Sequence, residues 1–215
     1  MSSVKTKILI VDDHPVVREG LALRINRQSD LQVCGEAGSP AEALRMIAEC
    51  RPDVLVADLM LESGSGLDLI QDAMSRYPKL LALAVSMQDE RIFAPRALKN
   101  GARGYIMKQV ATEKIVEAIR SILAGHVYLS DEMRLRMLDG LGRAKSGESG
   151  TVEQLSDREL EVYRLVGEGF RTREIASKLH LSVKTIETYY ERIKKQLNYD
   201  DFHQLFREAV LWVNR

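Results

Sequence analysis

The chain has 215 residues, of which 45% are apolar and 29% charged, with 31 basic and 31 acidic side chains and no formal net charge. That length suits one large domain or two small ones, and the apolar fraction supports a core without disulfide or metal staples. Thr151 onward is balanced by itself, with 11 side chains of each sign, so bulk charge gives no support for nucleic-acid binding. Any such binding has to come from where charges are placed.

The first apolar run, Ile8–Val11, ends at Asp12 and is far too short for a secretory signal. No stretch approaches the roughly 20 apolar residues of a membrane span. Both features point to a cytoplasmic protein without a membrane partner. Further apolar runs follow at Leu31–Ala37, Val54–Asp58, Leu81–Val85 and Gly104–Met107. The segments between them carry helix-start signals. Pro15 suits a first turn, Ser39-Pro40-Ala41-Glu42 reads as a capping box, and Thr112 is a cap for a helix ending near Leu123. Cys34 and Cys50 lack metal-ligand spacing and read as buried thiols of a reducing compartment. Alternating strands and helices predict an α/β fold, a doubly wound five-stranded parallel sheet over residues 1–127.

Residues 128–150 read as a linker, with an added helix over Tyr128–Leu138 and a flexible Gly140–Gly150 stretch. From 151 to 215 the period is purely helical, which predicts a small all-α domain of four helices. Ser156 with Glu159 forms a capping box, and Gly169 closes that helix. Thr172 caps a short helix to Leu179, and Ser182 caps a longer one that Asn198 ends. Asp201 with Gln204 opens the last.

In a doubly wound sheet, ligands bind beyond the carboxyl ends of the strands. Asp12 and Asp13 follow the first strand, Asp58 ends the third, Ser86 follows the fourth and Lys108 the fifth, so all five converge. Clustered carboxylates repel, and Mg2+ relieves that repulsion through oxygen ligands. Lys108 reads as a cation in an exposed cleft, ready for an anion, and Ser86 offers a hydroxyl donor. These are the parts for phosphoryl transfer onto an aspartate.

In the long helix, Val183, Ile186, Tyr190, Ile193 and Leu197 form one apolar stripe facing the core. Lys184, Thr188, Glu191 and Lys195 lie opposite, flanked by Thr185, Glu187 and Arg192. A short helix, a tight His180–Leu181 turn and a second helix present that outer face to a DNA major groove.

The segments ILIVDDHPVVREGL, VLVADLMLESGSGLDLI, LAVS and GARGYIMK resemble the receiver domain of two-component response regulators. LSDRELEVYRLVGEGFRTREIASKLHLSVKTIETYYERIKKQL resembles the LuxR-type helix-turn-helix of the NarL/FixJ class. The first resemblance implies Asp58 as phosphoacceptor and a flavodoxin-like receiver fold. It gives Mg2+ held by Asp12, Asp13 and the Met60 carbonyl, with Ser86 and Lys108 on the phosphoryl oxygens and Tyr105 as the switch aromatic. The second implies DNA contacts from Lys184, Thr185, Glu187, Thr188, Glu191 and Lys195, and a homodimer through Phe202, Phe206 and Val210. Together they imply a transcription regulator phosphorylated by a sensor histidine kinase and not an enzyme acting on an outside substrate. The alternative is a protein-binding adaptor, kept open by the two carboxylates on the reading face, or a phosphorylation-independent regulator with altered DNA binding. Five positions depart from the families: Glu62 replaces a usual Pro, Gln109 a usual acid, Tyr189 a usual His and Asn198 a usual Gly, and Pro95 falls inside the fourth helix, where it should bend or shorten it.

Overall fold

The computed structural model describes residues 5–142 and 151–214. The chain divides into two units, Met1–Gly142 and Arg143–Arg215.

In the first unit the strands are β1 (Thr6–Val11), β2 (Leu31–Ala37), β3 (Val54–Asp58), β4 (Leu81–Ser86) and β5 (Gly104–Met107). Among the described residues they form one parallel sheet in the order β2-β1-β3-β4-β5. β3 is buried along its whole length. This explains why it reads as an unbroken apolar run and not as an alternation: helices cover both faces of a parallel sheet. On one face Ile8, Ile10, Val54, Val56, Leu83 and Val85 pack with Leu21 and Ile25 of α1 (Pro15–Asn26) and with Ile115 and Ile119 of α5 (Lys108–Leu123). The other face is covered by α2 (Pro40–Cys50), α3 (Gly66–Arg76) and α4 (Glu90–Lys99). A short hairpin, Met60–Leu61 with Gly64–Ser65, leads from β3 into α3.

Several local expectations are corrected here. Ser39 caps α2 through the Glu42 N–H, but the Glu42 carboxylate takes the Gly38 N–H and not that of Ser39, so the box is not closed. α5 begins at Lys108, ahead of Thr112, without a side-chain cap. α4 runs from Glu90 to Lys99 with Pro95 inside it. Pro95 is exposed and has no N–H to give the helix ladder. The helix expected within the 128–150 linker is present, but it begins at Asp131 and not at Tyr128. α6 spans Asp131–Gly142 and belongs with the first unit, where Leu129 and Met133 are buried and Tyr128 pairs with Gly104 beside β5. The rest of that linker, 143–150, lies outside the described residues.

The second unit contains a one-turn segment, Val152–Gln154, then α7 (Asp157–Gly167), α8 (Thr172–Lys178), α9 (Val183–Leu197) and α10 (Phe202–Val213). Ser156 and Glu159 close a full capping box, Ser182 takes the Thr185 N–H, and Asp201 takes the Gln204 N–H. Asn198 sits at φ 55°, the left-handed position that ends α9. Thr172 is the first residue inside α8 and not its cap; Arg171 precedes it, with its N–H on the Glu174 carboxylate at 2.7 Å. Ile186, Tyr190, Ile193 and Leu197 are buried as expected, but Val183 is 38% exposed because it lies in the overhanging first turn. α7 crosses α10 closely at Gly167, where a Cβ would fall 2.4 Å from the Ala209 carbonyl.

Candidate functional site

The strand order reverses direction between β1 and β3, and this opens a crevice at the carboxyl ends of those two strands. Asp12 and Asp13 enter it from the end of β1, Asp58 from the last residue of β3, Ser86 from the last residue of β4, and Lys108 from the start of α5. Asp12, Asp58 and Ser86 are buried, at 2%, 3% and 0% exposure. The Lys108 ammonium lies 2.7 Å from Asp12 Oδ2 and 2.7 Å from Asp58 Oδ2, and its side chain is 9% exposed. Lys108 is therefore not a cation in an exposed cleft. It is the counter-charge wedged between two buried carboxylates.

The electrostatics follow from that packing. Burial pushes the Asp58 carboxyl up to about 6, against the opposing pull of the Lys108 hydrogen bond and of the Met60 N–H, 3.0 Å from Asp58 Oδ1. For Lys108, burial works to lower its value, and hydrogen bonds to Asp12 and Asp58 outweigh it, so the ammonium is held above its ordinary range. The Ser86 hydroxyl accepts the Gln88 N–H at 3.2 Å. Tyr105 is 1% exposed and donates to the Gln88 carbonyl at 2.7 Å, and burial raises its phenol strongly. Ser86 and Tyr105 thus both grip the loop leading into α4.

Asp13 is held differently. Its Oδ2 accepts the Glu62 N–H at 3.1 Å, whereas Oδ1 is buried with no hydrogen-bond donor aligned on it, although His14 Nδ1 lies 2.7 Å away. The same ring nitrogen is 3.2 Å from Asp12 Oδ1. Ligand atoms of Asp12, Asp13, His14 and Asp58 all lie within 4.8 Å of one another. A convergent set of carboxylate oxygens, one of them buried with no aligned hydrogen bond, fits a hard divalent cation such as Mg2+.

Sequence reasoning missed three supports. Arg18 donates to the Asp12 carbonyl at 2.6 Å and pairs with Glu36, fixing the turn after β1. The Glu62 backbone amide holds Asp13, which a prolyl residue cannot do. Gly66 begins α3 directly against the acceptor strand: a Cβ there would meet the Asp58 carbonyl at 2.0 Å. Of the three, Gly66 left a signal in the sequence, a glycine at a helix start where ordinary side chains are tolerated.

In the second unit, Lys184, Glu187, Thr188, Glu191 and Lys195 are exposed on α9, and Thr185 is half-buried within the Ser182 cap. The Glu191 carboxylate lies 2.8 Å from Lys194 Nζ, which offsets one of the two negative charges on this face. On α10, Leu205 and Ala209 are buried in the core, whereas Phe202 and Phe206 are 41% and 44% exposed and Val210 is half-buried. The helix therefore carries more apolar surface than its own unit covers.

Residues 8–120 match the response regulator receiver domain family, and residues 153–209 match the luxR family of bacterial regulatory proteins. The oxygen regulatory protein NreC of Staphylococcus carnosus is 33% identical over 209 residues, which span 95% of this chain and 96% of NreC. RcsB of Salmonella enterica serovar Typhimurium, solved bound to promoter rprA in the presence of the phosphomimetic BeF3-, is 25% identical with a TM-score of 0.71, covering 96% of this chain and 99% of that one. A LuxR-family two-component response regulator from an Aurantimonas species is 31% identical over 65% of this chain and 100% of its own, with a TM-score of 0.60.

Proposed function

Because the chain belongs to the two-component response regulators that join a receiver domain to a LuxR-type DNA-binding domain, we propose that its control of transcription is switched by a phosphoryl group on Asp58. The observation that carries this reading is the buried Asp58 carboxylate at the sheet switch point, with Lys108 at 2.7 Å and Ser86, Asp12 and Asp13 around it.

In this proposal the donor is a phosphorylated histidine of a sensor kinase. An Asp58 carboxylate oxygen forms the new P–O bond as the donor P–N bond breaks, and the pair of electrons leaves with the histidine nitrogen. Asp12, Asp13 and the Met60 carbonyl would hold Mg2+, which supplies charge neutralisation between the carboxylate cluster and the phosphoryl oxygens. Lys108 already bridges Asp12 and Asp58, so a short turn of its ammonium brings it onto a phosphoryl oxygen. The Ser86 hydroxyl accepts from Gln88 and is hydrogen-bonded to the Tyr105 phenol, so it would turn its hydrogen from Tyr105 to another. Moving Ser86 disturbs the Gln88 loop, and Tyr105 is bonded to that same loop at the Gln88 carbonyl. This is the route by which a local charge change reaches the α4 side of the receiver.

The chemistry is confined to the protein's own switch. Its output is DNA binding in the cytoplasm by a homodimer paired through Phe202, Phe206 and Val210, with Lys184, Thr185, Glu187, Thr188, Glu191 and Lys195 facing the groove. Two copies double the phosphate contacts, which steepens the salt dependence of binding. The test is a genomic DNA pull-down with acetyl phosphate and Mg2+, comparing wild type with Asp58→Asn. Discrete promoter fragments should be enriched by wild type and lost with the variant. Equal enrichment by both proteins would contradict phosphorylation control.

A further inference from the structure

The reading face of α9 is not uniformly available to DNA. Thr188 Oγ1 donates to the Lys184 main-chain carbonyl at 2.9 Å. A hydroxyl has one hydrogen, so this one is committed to the helix and cannot be given to a base acceptor. With the oxygen committed to the backbone, the γ-methyl is the part of this exposed side chain left to meet a ligand. Thr185 is occupied as well, its hydroxyl 2.8 Å from Ser182 Oγ and its N–H on the same atom at 3.0 Å. Glu191 is engaged by Lys194. Glu187 is exposed and, among the described residues, has no ion pair or hydrogen bond. It is the acidic acceptor left open on this face.

Resting on the DNA-binding reading above, we propose that each copy reads a cytosine through Glu187 and a thymine through the Thr188 methyl, within the same half-site of the major groove. A carboxylate only accepts, and in the major groove cytosine N4 offers it a donor. The N6 donor of adenine stands beside the N7 acceptor, which repels a second carboxylate oxygen. The Thr188 methyl, lacking a hydroxyl hydrogen to offer, matches the C5-methyl of thymine, the apolar group of that groove. Lys184 and Lys195 then position the helix on phosphates without adding sequence information.

The experiment uses the full chain, treated with acetyl phosphate and Mg2+, against a library of randomised duplexes. Wild type should enrich half-sites holding an invariant cytosine and an invariant thymine. In the selected duplex, replacing that thymine by deoxyuridine removes only the DNA methyl, and replacing Thr188 by Ser removes only the protein methyl while keeping the back-bonded hydroxyl. Deoxyuridine should weaken wild-type binding on the order of fivefold and leave Thr188→Ser unchanged. Glu187→Gln should lose about tenfold of the cytosine preference and shift it toward adenine, which glutamine engages at N6 and N7. A deoxyuridine penalty equal in both proteins, or an unchanged selected sequence for Glu187→Gln, overturns the assignment. Salt-dependent binding without any enriched sequence also overturns it and leaves DNA binding standing. Absence of binding at every salt concentration overturns the DNA-binding function itself.

Discussion

Replacing Lys108 by Ala removes the one ammonium that bridges Asp12 and Asp58, at 2.7 Å from each. Taking one partner from a buried ion pair costs about 3–5 kcal/mol when the other charge must stay. Asp58 has an escape, because it can take up a proton. Its carboxyl already sits at about 6 in place of 3.8, burial being the main cause. A carboxyl raised in the folded state stabilises the fold below its unfolded value, and that contribution is lost as pH rises through the folded one. Without Lys108 the largest lowering effect disappears and the folded value climbs further. If that climb carries the variant past pH 7.5, linkage puts the added loss from Asp58 at on the order of 2 kcal/mol there, because wild type is ionised at that pH. At pH 6 wild type is itself about half protonated, and most of that difference disappears. Native-state hydrogen exchange of the β3 and β4 amides, read by mass spectrometry in EDTA, measures receiver opening within the full chain. The destabilisation should be smaller at pH 6 than at pH 7.5, by on the order of 1 kcal/mol. The same loss at both pH values would refute the view of Lys108 as counter-charge to a buried, ionised Asp58.

Other perturbations separate the remaining contributions. Gly66→Ala places a methyl against the Asp58 carbonyl, so it should cost about 1–3 kcal/mol and abolish phosphorylation, checked by urea unfolding and acetyl phosphate labelling. Glu62→Pro removes the N–H that fixes Asp13 and should weaken Mg2+ binding by about fivefold, whereas Glu62→Ala should not; titration calorimetry distinguishes them. Phe206→Asp puts a charge on the exposed apolar face of α10. It should leave the circular dichroism spectrum intact, abolish dimerisation in sedimentation velocity and roughly halve the salt slope of DNA binding.

The sheet was legible because each strand is a short apolar run bounded by turn chemistry, and burial on both faces keeps the run unbroken. β2, β3 and β5 begin and end where those runs do. Convergence of Asp12, Asp58, Ser86 and Lys108 was legible from strand ends alone, since topology brings carboxyl termini together. What escaped was decided by tertiary partners. Thr112 has good cap chemistry, yet α5 starts at Lys108, next to the buried carboxylates that the lysine bridges. The packing of Leu129 and Met133 onto the receiver looks, in sequence, like the approach to a linker. His14 joins the acidic cluster through its position one residue beyond Asp13, a proximity that no periodicity signals. The Thr188 back-bond is equally silent, because the same hydroxyl facing outward would have the same sequence.

The central claim is that Asp58 is the atom-level acceptor of the signal. Acetyl phosphate and Mg2+ with the full chain, followed by borohydride trapping and peptide mass spectrometry, test it directly. Modification is expected at Asp58 alone, with dependence on Mg2+ and no labelling of Asp58→Asn. Undiminished labelling of that variant, or modification centred on Asp12 or Asp13, would contradict it.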